Sequence, residues 1–230
     1  MEIKQIKEFP RDNLEQLLSA IPFYKDVKQQ DFWQFELLLA HSRLVSYEPG
    51  ETALRSGETD SWLYFLLKGQ LAVFVGKETE ETKAVNYITP GEVFGDIALL
   101  LGNERTATLI ADANCRQILA FATDFTVFGE LNDFRSISLP TKLIYYRNTV
   151  HNLRWKLEVY RTKYPDDDLA GDHHRIKLYV GTKDSFEELA SLHEQGVALA
   201  QQLVKWNARF GVPSFNEGGS IDPSLVANIV

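Results

Sequence analysis

The segment Phe94-Gly95-Asp96-Ile97-Ala98-Leu99, a short loop, and Arg105-Thr106-Ala107-Thr108 bring a glycine, a carboxylate and a guanidinium together within one stretch of chain. Holding a sugar-borne phosphate needs backbone N–H groups at a helix start, a planar cation that meets two oxygens, and an acceptor for a neighbouring hydroxyl. Gly95 lets the backbone approach a ligand, and Asp96 can accept from a ribose hydroxyl. Ile97-Ala98-Leu99 can form a helical turn whose N–H groups face the phosphate. Arg105 offers a bidentate fork where lysine would offer only a point charge, Thr106 adds a hydroxyl, and Ala107 leaves room.

Short strands must position such a segment. From Leu44 onward, apolar and aromatic runs are cut by Pro49-Gly50, Ser56-Gly57, Lys68-Gly69, Gly76, Thr89-Pro90-Gly91 and Leu101-Gly102-Asn103, a spacing that predicts a barrel or roll. Trp62-Leu63-Tyr64-Phe65-Leu66-Leu67 reads as a strand buried on both faces. Leu71, Val73 and Val75 alternate after the Lys68-Gly69 turn, which predicts a hairpin. Ahead of the sheet, Leu14, Leu17, Leu18 and Ile21, then Phe32, Phe35, Leu38 and Leu39, recur at helical spacing and predict two short helices.

Phe-Gly-Asp-Ile-Ala-Leu followed by Arg-Thr-Ala-Thr resembles the phosphate cassette of the cyclic-nucleotide-binding family, which includes catabolite activators and the regulatory subunit of cAMP-dependent protein kinase. Tyr47-Glu48-Pro49-Gly50-Glu51, Gly57-Glu58 and Leu66-Leu67-Lys68-Gly69 extend the resemblance over about residues 20–130. It implies a jelly-roll-like β-roll (a double-stranded β-helix) with flanking helices and a long helix after it; with the small strand-helix extension that the residues beyond predict, the expected class is α+β. It also implies that Arg105 binds a phosphate oxygen and Asp96 the ribose, with Phe94, Gly95, Ile97, Ala98, Thr106 and Ala107 completing the cassette. By the same analogy the base contacts are sought at Val85 and Ile88 and on the helix at Asn148, Thr149 or Asn152. Phosphate binding would order the turn at Ile97-Ala98 and shift that helix. The expected function is a sensor for a cyclic nucleotide, cAMP first, with no other cofactor. The family usually has glutamate where Asp96 stands; loss of that hydrogen bond, worth about 1.5–3 kcal/mol, weakens binding roughly ten- to a hundred-fold.

The period changes at Leu139. Leu143, Val150, Leu157 and Tyr164 at a, with Leu139, Tyr146, Leu153 and Tyr160 at d, form a heptad seam. Pro140 opens the helix and Pro165 closes it. A homodimer through residues 139–164 is expected, although Lys142, Lys156 and Lys163 at g and Arg147, Arg154 and Arg161 at e set like charges against each other. The section 165–230, with five Lys and Arg against ten Asp and Glu, supplies acidic surface that can pack near this helix. Within it Ile176-Lys177-Leu178-Tyr179-Val180 reads as a strand. Ser185 with Glu188 caps a helix from about Phe186 to Phe210 that carries Leu192, Leu199, Leu203 and Trp206 on one face; Gly211 and Pro213 end it. Residues 214–230 read as loose. The expected division is 1–133 for the roll and its N-terminal helices, 134–165 for the long helix and 166–230 for an acidic extension with an unknown protein partner.

The whole chain, 230 residues, 44% hydrophobic, with a net charge of −8 and a single cysteine, fits one core with additions in a reducing compartment, and the cytoplasm is expected. Neither a signal peptide nor a membrane span is legible. The acidic balance and the lack of a helix-turn-helix pattern argue against nucleic acid as a partner, and so against a catabolite-activator-like regulator. An enzyme is not expected: Cys115 reads as a core residue of a strand. His173-His174 beside Asp166, Asp167, Asp168 and Asp172 reads as a solvated linker rather than a metal site, since adjacent histidines diverge on a regular element. The remaining alternative is a scaffold or interaction module whose pocket is degenerate, with Arg105 paired to Asp96 or Glu92.

Overall fold

The computed structural model describes residues 1–6, 9–75 and 84–210. Two antiparallel sheets form a roll. One contains, in spatial order, β1 (Glu2–Gln5), β2 (Ser42–Tyr47), β9 (Ile118–Asp124), β4 (Trp62–Lys68) and β7 (Val93–Phe94). The other contains β3 (Thr52–Leu54), β8 (Thr108–Ala111), β5 (Leu71–Phe74) and β6 (Asn86–Ile88). Successive strand side chains point to opposite faces, and here both faces are covered. Tyr64 and Leu66 of β4 and Ala120 and Ala122 of β9 fill the interior of the roll, while Leu63, Phe65 and Phe121 pack outward against helices. The chain is therefore the α+β roll with flanking helices that its sequence pattern predicts.

The expected β4–β5 hairpin does not form. β4 is already paired on both sides, with β9 and β7, and β5 joins the opposite sheet between β8 and β6. Gly69 makes that transfer possible: its φ is +83°, and a Cβ there would lie 2.8 Å from the Gln117 carbonyl oxygen. Cys115 lies in the turn between β8 and β9, half-buried, rather than in a strand.

Three helices, not two, precede β2: α1 (Arg11–Ser19), α2 (Pro22–Gln30) and α3 (Phe32–Ala40). The apolar spacing runs through two breaks that it cannot show. Pro22 starts α2, and the Asp31 carboxylate caps α3 by accepting from the Trp33 and Gln34 N–H groups at 2.9 and 3.2 Å. Phe23, Tyr24 and Phe35 from these helices pack on Phe65 and Phe121.

The long helix α5 (Leu139–Lys163) has its expected ends, with Ser138 accepting from the Thr141 N–H at 3.4 Å. Its seam, however, is filled from within the chain. Leu143, Val150, Leu153, Leu157 and Tyr160 are buried against Leu189, Leu199, Leu203 and Trp206 of α6 (Phe186–Phe210). A heptad pattern specifies an apolar stripe but not whose helix covers it. α6 thus takes the place expected for a second copy. Its acidic first turn also meets the basic flank: Arg147 Nε donates to Glu188 Oε1 at 2.8 Å, and Arg147 Nη2 to Asp184 Oδ1 at 2.9 Å. Ser185 caps α6 by accepting from the Glu188 N–H at 3.2 Å, and the Glu188 carboxylate accepts from the Asp184 N–H at 2.7 Å.

No strand forms at 176–180. A strand needs a partner edge for its backbone groups, and this segment has none among the described residues. Leu178 and Val180 are 69% and 95% exposed. The readings placed on Gly76, Gly211, Pro213 and residues 214–230 lie outside the described residues.

Candidate functional site

The end of β7 builds the site. Phe94 is buried with its ring stacked on Tyr64 at 4.9 Å, which fixes the chain just before Gly95. Burial, reinforced by the Asp60 charge, pushes the Tyr64 phenol above its ordinary pKa. Gly95 then turns with φ +86°, and a Cβ there would sit 2.7 Å from Arg105 Nη1 and 3.0 Å from the Trp62 carbonyl oxygen. Only glycine fits that approach. The short helix α4 (Asp96–Leu101) comes next and ends at Gly102, φ +61°. The return strand is pinned by its backbone: the Gly57 N–H donates to Arg105 O at 2.9 Å and the Arg105 N–H to Glu58 O at 2.8 Å.

Arg105 is 3% exposed. Its Nε donates to Asp60 Oδ2 at 3.1 Å, Nη1 to Gly95 O at 2.6 Å, and Nη2 to both Trp62 O at 2.7 Å and Asp60 Oδ1. A guanidinium has five N–H groups in all, so one, on Nη1, is left for a ligand. The expected alternative partners, Asp96 and Glu92, are not the ones used. Asp96 is 2% exposed, and its Oδ2 has no hydrogen-bond partner among the described residues. The nearest cation is Lys156, with Nζ 4.0 Å from that oxygen and donating to Val93 O at 3.0 Å. A buried, unpaired carboxylate oxygen is costly. Here it faces a cavity.

That cavity, about 80 Å³, gathers all eight expected cassette residues: Phe94, Gly95, Asp96, Ile97, Ala98, Arg105, Thr106 and Ala107. Ile88 also lines it. Val85 does not; it is buried in the core of the roll. The helix residues are misplaced as well. Asn148, Thr149 and Asn152 line a separate cavity with Ile21, Phe23 and Leu63, between α2, β4 and α5. They fall on the face of α5 turned to the N-terminal helices, and at about 100° per residue it is Lys156 that reaches the cassette. Leu203 and Asn207 of α6 close the same cavity. Sequence spacing offers no signal for these two, nor for Asp60, because they arrive by tertiary packing. Tyr160 fixes the Asn207 amide by donating its hydroxyl to Oδ1 at 2.7 Å.

Chemically, the arrangement offers a guanidinium, a helix start and a free carboxylate oxygen around one small space. These are the groups that a phosphorylated sugar requires of its holder. The Cyclic nucleotide-binding domain family model matches residues 44–131. Over that stretch the chain is similar to the cyclic nucleotide-binding domain family.

Among its relatives, the chain is similar to the potassium/sodium hyperpolarization-activated cyclic nucleotide-gated channel 1 of Oryctolagus cuniculus, 28% identical over 48% of this chain and 12% of the channel. It is also similar to the cAMP-activated global transcriptional regulator CRP of Pasteurella multocida, 32% identical over 35% of this chain and 39% of the regulator. Among solved structures it is similar to "cAMP bound PfPKA-R (141-441)", at 21% identity and a TM-score of 0.46, covering 70% of this chain and 49% of the other. The chain thus spans less than half the length of either curated relative. No helix among the described residues is long and apolar enough to cross a membrane.

Proposed function

We propose that this chain is a cyclic-nucleotide-binding regulatory protein with cAMP as its ligand, working in the cytoplasm. The observation that carries the reading is the Asp96 carboxylate oxygen, buried and unpaired, in one cavity with Arg105 and the start of α4. A ribose hydroxyl satisfies that oxygen, and a phosphate meets the α4 N–H groups and the remaining Nη1 N–H of Arg105. The similar regulator is named as cAMP-activated, which favours adenine among the bases.

The cavity of about 80 Å³ is below the 300–1,000 Å³ of ordinary ligand pockets. Entry therefore requires Leu203 and Asn207 to withdraw, and ligand binding is linked to the position of α6. A homodimer through residues 139–164 requires the same departure, because α6 occupies that seam. DNA is not proposed as a partner: among the described residues α5 leads into a connector and α6, not into a helix-turn-helix.

Calorimetric titration with cAMP and cGMP tests the reading, with Arg105→Lys as the control and thermal unfolding to show that the control is folded. Saturable heat, stronger for cAMP and lost in the variant, is expected. Silence at millimolar nucleotide overturns it. That result would favour the second reading, an interaction module with a closed pocket, for which the internally engaged Arg105 already speaks.

A further inference from the structure

Away from the cassette, Glu158 on α5 reaches the 3-10 turn Asp172–Arg175 in the connector to α6. The two adjacent histidines do not diverge on that turn. Their ring centroids are 4.2 Å apart, and both Nε2 atoms meet the same carboxylate oxygen, His173 at 2.8 Å from Glu158 Oε1 and His174 on it as well. His173 is 2% exposed, whereas the His174 side chain is 54% exposed. The other oxygen of Glu158 is held by Arg161 Nε at 2.6 Å, leaving Oε1 as the face turned to the imidazoles. The acidic residues that flank the histidines in sequence are not part of this group. Asp172 pairs with Arg175, and Asp167 and Asp168 with Arg209.

Two imidazole nitrogens and one carboxylate oxygen lie within 4.8 Å of one another. This is the donor number that leaves one tetrahedral position of a zinc ion to solvent. Imidazole selects late first-row divalent ions, whereas calcium and magnesium require mainly oxygen. Bonds of about 2.0–2.1 Å set tetrahedral donor separations near 3.3 Å, so the 2.8 Å contact opens by about half an ångström when an ion enters. His173 is buried, so the Glu158 side chain, 32% exposed, makes that movement, and the exposed His174 follows it.

We propose that Glu158, His173 and His174 form a divalent transition-metal site, zinc in the cell, that staples the 165–185 connector to α5. Bound metal holds the connector from which α6 begins, and Lys156, two residues before Glu158, lines the nucleotide cavity. The site itself stands whether or not the cavity binds a nucleotide.

The test uses the full chain, freed of metal with a chelator and titrated with zinc chloride by calorimetry, and with cobalt chloride by its visible absorption. The variants are His174→Ala and Glu158→Gln, with His151→Ala as a control outside the cluster. One ion per chain is expected, with the cobalt spectrum of a tetrahedral centre. Affinity should fall at least tenfold in each cluster variant and stay unchanged in the control. Absence of saturable binding in the unaltered chain, or binding by both cluster variants equal to that of the unaltered chain, overturns the site. His174 is exposed, so its substitution leaves folding intact and either result is informative.

Discussion

Arg105 and Asp96 divide the site between a charge that is satisfied and one that is not. The guanidinium is neutralised by Asp60 and bonded to two carbonyls, so the phosphate of the proposed ligand would have to compete with internal acceptors. The Asp96 oxygen has no such partner. Removing a buried group of that kind relieves a desolvation cost of about 1–3 kcal/mol, partly offset by the lost attraction of a carboxylate for the α4 N-terminus. Asp96→Ala should therefore leave stability unchanged or raise it by about 1 kcal/mol in denaturant unfolding, while nucleotide affinity falls roughly ten- to a hundred-fold. A variant that loses stability and affinity together would mean the carboxylate is structural. The eight cassette residues were legible because the chemistry lies in one contiguous stretch with informative residue types. Asp60, Lys156 and Asn207 were not, since nothing local marks a residue that reaches the site from another element. The base-contact choice of Asn148, Thr149 and Asn152 failed on the rotational phase of α5, which a heptad pattern cannot assign without knowing what covers each face.

Between elements, the α5–α6 interface borders the cavity, through Lys156, Leu203 and Asn207. Leu153 is fully buried there, so Leu153→Ala should cost about 2–5 kcal/mol of stability with no change in the molar mass seen by sedimentation. A parallel loss of mass would instead place Leu153 in a subunit interface. Gly196 marks a close approach of α6 to the cassette helix: a Cβ there would lie 3.3 Å from Leu100 Cδ2. Gly196→Leu overpacks that contact, at a typical cost of about 1–3 kcal/mol. Hydrogen exchange should then speed up in α6 and α4 before it does in the sheets. Both long helices were legible, with both ends of α5 and the start of α6, because proline, capping residues and apolar spacing are local signals. The partner of the α5 seam was not, for an internal helix and a second copy ask for the same leucines. The 176–180 segment failed for a related reason: β-branched and aromatic residues favour a strand only where an edge is available.

For the molecule as a whole, stability depends on pH through His193 at the same interface. Burial holds its imidazole below the ordinary value, outweighing the opposite pull of Glu194, and its ring packs on Tyr146 at 5.5 Å. A base whose folded pKa is depressed favours folding in its neutral form. Its contribution is complete above about pH 6.5, the ordinary histidine value, and declines as the pH falls below that. His193→Gln should flatten this part of the curve of melting temperature against pH, and an unaltered slope would assign the dependence to other groups.

Trp206 gives the molecule a light signal of its own. It is 1% exposed and packed against both Tyr160 and Phe210 at 5.3 Å from each, one residue from Asn207 at the cavity wall. Trp33 and Trp155 are 79% and 48% exposed and open to a collisional quencher such as acrylamide. With their emission suppressed and the half-buried Trp62 of β4 replaced by phenylalanine, the remaining blue fluorescence reports the dry environment of α6. Any effector that lifts this helix, nucleotide or metal or protein, should be visible as a red shift in unlabelled protein.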